Sequence, residues 1–183
     1  MLNYLKLMLQ LVLAPSKGWD DVAAAMPDAH RILLFGLLPL CVLTGASVGV
    51  AALWDSHLLL STVIIRSVIT FAVYMLTYFI AQALLTALLP RITEDGLVDR
   101  ERISVFAALN VGQMALIGFI ENLLPAEVPI LQFLPLFVVV VMYRARGFLG
   151  VDSSRTGLML AFGIVAVILP VYILGGLLGP MAG

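Results

Sequence analysis

The sequence is poor in the groups that carry out chemistry. It has one cysteine, Cys41, and two histidines, His30 and His57. A lone cysteine closes no intrachain disulfide and holds no zinc by itself. Charge is scarce as well: 11% of residues are Asp, Glu, Lys or Arg, against about 25% in a soluble domain. The formal net charge is −1, so no basic field draws nucleic acid. Phosphate loops, Cys/His metal spacings and dinucleotide fingerprints are missing. What remains is oil. Hydrophobic residues make up 62% of the 183 positions, and mean hydropathy is +1.12. So little polar surface cannot cover a water-facing globule, so lipid must be the solvent.

Five apolar segments approach the roughly 20 residues that a membrane-crossing helix needs: 32–53, 67–89, 103–124, 128–148 and 157–178. They are too continuous for the alternation of a barrel. Backbone amides in lipid pair only within their own segment, so each is read as a helix. An apolar stub, 58–65, precedes the second. The fourth holds only a 14-residue stretch, Ile130 to Tyr143, apolar but for Gln132. It spans if Arg144 and Arg146 snorkel their heads to the surface. Pro125 and Pro129 mark the turn before it.

The cations fix an orientation. Lys6, Lys17 and Arg31 precede the first span. Arg91, Arg100 and Arg102 join the second to the third, and Arg144, Arg146 and Arg155 join the fourth to the fifth. These nine share one side, and Arg66 alone is left for the other. The positive-inside rule puts the N-terminal side in the cytoplasm and the C-terminal side outside.

"MLNYLKLMLQLVLA" would make about 20 Å of helix, too short to cross. Asn3, Lys6 and Gln10 form one polar stripe on it, the pattern of a helix lying in the interface. A cleaved leader is the competing reading, because "AAA" at 23–25 resembles a cleavage site. "PSKGWDD" interrupts the apolar run such a leader needs. A second short helix is expected after Pro15, capped by Ser16, with Asp20 and Asp21 in its first turns. Trp19 is its expected membrane anchor, alongside Lys6, Arg144 and Arg146. Pro27 ends it. The organisation is therefore residues 1–30 as interfacial helices and 31–183 as an all-α bundle of five transmembrane helices.

"LAPSKGW", followed by "LLFGLLPL" at the first span, resembles the bacterial branch of the Yip family (Ypt/Rab-interacting proteins). "LFVVVVMYRARGFLGVDSSRTGLMLAFGI" is similar to that family's junction of spans four and five. The shared positions are Pro15, Trp19, Pro39, Tyr143 and Gly150. The resemblance implies five spans, a cytoplasmic N terminus, a very short exterior C terminus and a role in membrane organisation. It points to a bacterial inner membrane. The "DLYGP" motif of eukaryotic members is absent, so nothing here supports binding of a Rab-type GTPase.

Polar residues inside spans are costly, and each asks for a role. Gln82, Asn110 and Gln113 fall at similar depth on the second and third spans. They make either an interhelical hydrogen bond or the lining of a polar path. Arg66 and Glu121 fall at the exterior boundary, and either pair or snorkel separately. Pro39, Pro135 and Pro170 each deprive a carbonyl four residues back, at Phe35, Leu131 and Ala166, of its amide. They mark kinks or broken-helix sites. Gly45/Gly49 and Gly175/Gly179 have the spacing of close helix contacts.

No catalytic constellation forms. His30 and His57 fall on opposite sides of the membrane, and neither has a nucleophile partner. Glu94, Asp95, Asp99 and Glu101 could hold a divalent cation, but Arg91, Arg100 and Arg102 interleave with them. Asp99 reads instead as the cap of the third span. Neither a metal nor a cofactor is expected. The sequence predicts a non-enzymatic membrane protein that organises or shapes the bilayer or scaffolds partners. A transporter or channel for a small solute, ion or lipid is the alternative. Its partners would be lipids, further copies of itself or other membrane proteins.

Overall fold

The structure is a computed structural model, and it describes residues 1–53, 59–93, 98–124 and 129–182. Every regular element among them is helical, and one isolated antiparallel bridge joins Thr93 to Val151. His57, Glu94, Asp95 and the turn at Pro125 lie outside the described residues.

The chain opens with a helical hairpin, α1 (Leu2–Leu13) and α2 (Pro15–Ala25). The break falls at Ala14, whose φ of −144° leaves the helical region. Pro15 then takes the first helical position, where a missing N–H costs nothing. Ala14, not Ser16, is the N-cap, and no side chain bonds there. α2 ends at Met26, whose φ of 33° is left-handed, a region unfavourable for a residue with a Cβ. Pro27 blocks continuation. Asp28 then caps the next helix, accepting from the N–H groups of His30 at 2.8 Å and Arg31 at 3.3 Å.

Among the described residues six further helices follow in chain order: α3 (Ala29–Val50), α4 (Leu60–Arg91), α5 (Arg100–Leu123), α6 (Pro129–Arg144), α7 (Arg146–Leu149) and α8 (Ser153–Met181). α3, α4, α5 and α8 are long and apolar enough to cross a membrane. α6 is shorter. α4 starts earlier than the sequence implies: from Leu60 on, the residues before Ser67 belong to the same helix as the span. Arg66 therefore stands six residues, about 9 Å, inside α4 rather than at its start. Asp99 caps α5 as expected, accepting from the Glu101 N–H at 3.0 Å. α7 is a separate turn ended by Gly150 at φ 66°, where a glycine avoids the Cβ penalty.

α5 is the axis of the bundle. Its most apolar window is 72% buried, against 22% for α4 and 28% for α8, and residues 103–115 are buried without a break. α4 and α8 turn Val68, Phe79, Leu158 and Tyr172 outward, where only an apolar medium makes such a surface tolerable.

Two of the three prolines are absorbed by the helices that hold them. A five-residue π turn precedes each: Leu33–Leu37 before Pro39, and Ile164–Ile168 before Pro170. The wider turn accommodates the missing N–H, and α3 and α8 run on. Pro135 differs from expectation. It stands in the first turn after a 3-10 start, where no interior bond is lost and the Leu131 carbonyl is not deprived.

Of the paired glycines, Gly45 alone makes a close approach. A Cβ there would lie 2.7 Å from the Ser67 carbonyl oxygen on α4, whereas at Gly49, Gly175 and Gly179 it would meet open space. Gly45→Leu is expected to push α3 from α4 and to cost about 1–3 kcal/mol. Gly49→Leu should leave thermal unfolding in detergent unchanged. Equal shifts in the two variants would show that the contact is not close.

Candidate functional site

Polar contacts gather at two places, one at each end of the bundle. The first is the basic end, where α5 begins and α6 finishes. Residues 89–93 and 144–156 meet there. Thr93 bridges to Val151. The Arg102 guanidinium donates to the Phe148 carbonyl at 2.9 Å and lies 5.7 Å from that ring's centroid.

The N-terminal hairpin docks into this end. Trp19 is 2% exposed. Its ring lies 5.7 Å from that of Phe106 and 4.9 Å from that of Phe148, centroid to centroid. Its indole N–H donates to the Val141 carbonyl at 2.8 Å, one of the carbonyls that the end of α6 leaves without an intrahelical donor. The membrane-anchor role expected of Trp19 is thus overturned: an indole enclosed by protein reaches no lipid. Lys6, Arg144 and Arg146 do remain exposed, and the Arg144 guanidinium lies 5.6 Å from the Tyr143 ring centroid.

Tyr4 is the second fastener. Its ring fills a slot between Gly36 on α3 and Gly112 on α5, and its hydroxyl donates to the Ala108 carbonyl at 2.6 Å. In a helix each Cβ leans over the turn before it, so a glycine at 112 leaves the Ala108 carbonyl open to a second donor. Burial pushes the Tyr4 phenol well above its ordinary pKa, so it remains a donor. Gln10 donates to the Asp21 carboxylate and ties α1 to α2. Tyr4, Met8 and Leu11 form a ridge at helical spacing, but α1 is oily nearly all round, and that masks which ridge is buried.

The intramembrane amides do not gather into one cluster. Gln82 donates to Ser104 at 2.7 Å. Asn110 donates to the Phe106 carbonyl on its own helix at 2.7 Å. Gln113 is 3% exposed, and neither atom of its amide has a hydrogen-bond partner. Ser104 and Gln113 are nine residues apart, two and a half turns, and so face opposite sides of α5. Gln82 and Gln113 are therefore separated by the thickness of that helix. Among the described residues the crossing helices are linked by Gln82–Ser104, by Thr44 to the Ala115 carbonyl at 3.0 Å, and by Asn122 to Ser47 at 3.0 Å and the Thr44 carbonyl at 3.4 Å. Each contributes about 0.6 kcal/mol.

The second place is a recess of about 440 Å³ at the opposite end. Arg66, Ile69, Thr70 and Val73 line it from one face of α4, at i, i+3, i+4 and i+7. Val171, Gly175 and Gly179 line it from α8, and Asn122 from the end of α5. Arg66 and Glu121 are both exposed, and no ion pair joins them among the described residues. Glu121 does not line the recess.

Among the described residues no group of three His, Cys, Asp or Glu side chains could hold a metal ion, and Cys41 is fully buried. Comparison with known proteins returns no matching family model, no matching curated protein and no matching solved structure.

Proposed function

We propose that this is a five-crossing protein of the bacterial inner (cytoplasmic) membrane, with the basic end inside and the recess outside. It organises or shapes the bilayer, or scaffolds partners there, without catalysing a reaction. The observation that carries this reading is the double face of α1. Leu2, Leu9 and Leu13 are 85%, 55% and 81% exposed. Leu2 lies nine residues from the buried Leu11, and Leu13 nine from the buried Tyr4, so the two sets occupy opposite sides of the helix. The polar stripe of Asn3, Lys6 and Gln10 runs between them. A helix gripped by the bundle on one side and oily on the other suits the headgroup boundary of the inner leaflet. Side chains inserted there expand that leaflet alone and bend the membrane.

The fifth crossing is supported by the meeting of the two connections at the basic end. It requires α6 to return from the far end. Its 3-10 start and α-helical remainder reach about 26 Å, and Arg144 and Arg146 extend that by snorkelling. The resemblance to the Yip family points the same way. The transport reading needed Gln82, Asn110 and Gln113 on one polar face, and their separation around α5 weighs against it.

Reconstitution of the whole chain into phosphatidylglycerol-containing vesicles tests the proposal. The wild type should narrow vesicle diameter, and Leu2→Asp with Leu9→Asp should abolish the effect while the protein stays inserted. Unchanged diameters together with solute flux would favour the transporter instead.

A further inference from the structure

The exterior recess has the composition of a lipid site. We propose that it binds one phospholipid, with the headgroup phosphodiester on Arg66 and an acyl chain along the apolar wall. Arg66 is the one cation of the ten outside the basic end. It stands about a turn and a half into α4, at a depth where an ionisable side chain is costly unless it is used. Its fork of donors matches phosphate oxygens. Thr70, one turn along on the same helix face, places a hydroxyl in the same recess, and Asn122, whose amide N–H groups go to Ser47 and the Thr44 carbonyl, lines its edge. Ile69 lies between Arg66 and Thr70 on α4, and farther along the helices the walls are apolar at Val73 and Val171. Gly175 and Gly179 keep the α8 wall low, since a Cβ at either position would meet nothing within 4 Å. These glycines serve no helix contact, and a side chain there would occupy the space an acyl chain needs. Polar groups toward one end and an apolar groove below them match a lipid lying along the bundle. A free phosphate would leave the groove unused.

Native mass spectrometry of the full chain in detergent, titrated with dioleoyl phosphatidylglycerol, tests the site. Because no bilayer is involved, its outcome is separable from the topology and the bending activity proposed above. The wild type should take up one lipid saturably. Arg66→Gln should weaken binding about tenfold through loss of a charge-assisted bond. Gly175→Leu should weaken it comparably by filling the groove, with every polar group left in place. Arg146→Gln, at the basic end, should change nothing. The proposal is overturned if both recess variants bind as the wild type does. It is equally overturned if Arg146→Gln weakens binding as much as Arg66→Gln, because the attraction is then only general charge. Displacement of the lipid by equimolar inorganic phosphate would also overturn it and leave a simple anion site.

Discussion

Trp19→Ala will lower the stability of the bundle by about 3–5 kcal/mol, the range for truncating a fully buried aromatic. The size follows from three simultaneous losses. The ring stacks between Phe106 of α5 and Phe148 of α7. The indole N–H satisfies the Val141 carbonyl, which no later residue of α6 reaches. The cavity left behind sits where four helices meet, so it cannot close by moving one of them. Trp19→Phe should fall between wild type and alanine, because it keeps stacking and orphans the carbonyl, at a cost of about 1–3 kcal/mol. Thermal unfolding in detergent gives the ranking, with Lys17→Ala, at an exposed position of α2, as the neutral control. A shift for Trp19→Ala no larger than that control would mean that α2 is not docked.

The second large effect is a coupling. Gly112→Ala places a methyl group onto the Tyr4 hydroxyl, and 2.9 Å from both the Met8 sulfur and the Tyr4 ring carbon that bears the hydroxyl. It should cost about 1–3 kcal/mol by overpacking and loosen α1. Tyr4→Phe alone forfeits one buried hydrogen bond, about 1 kcal/mol. In the double variant the methyl group meets no hydroxyl, so its cost should be less than the sum by 0.5 kcal/mol or more, as for residues in contact. Proteolysis at Lys6 and Lys17 should accelerate in Gly112→Ala and slow again in the double variant. Strict additivity would remove the slot from the account.

Much of the helical frame could be read from the sequence, because hydropathy over 20 residues reports a solvent and needs no tertiary detail. The cap at Asp99 could be read for the same local reason; the π turn that absorbs Pro39 could not. The failures are tertiary. Trp19 has the same helical spacing whether its ring meets lipid or Phe106. In a chain this oily, apolar character no longer separates inside from outside. Depth alone groups Gln82 with Gln113, but depth ignores rotation about α5, and nine residues from Ser104 reverse the face. Gly175 and Gly179 carry the spacing of a contact and line a recess instead. Spacing states which residues share a stripe, and only the neighbouring helix states what covers it.

Thiol accessibility in intact spheroplasts tests the five-crossing arrangement most directly. Cys41 is fully buried and supplies a silent background, so single cysteines report cleanly. Ser153→Cys at the basic end and Met181→Cys at the far end of α8 are both at exposed positions. A membrane-impermeant maleimide should label Met181→Cys in intact cells and reach Ser153→Cys only after lysis. Labelling of Ser153→Cys before lysis, or protection of Met181→Cys until lysis, would contradict the arrangement on which the functional reading rests.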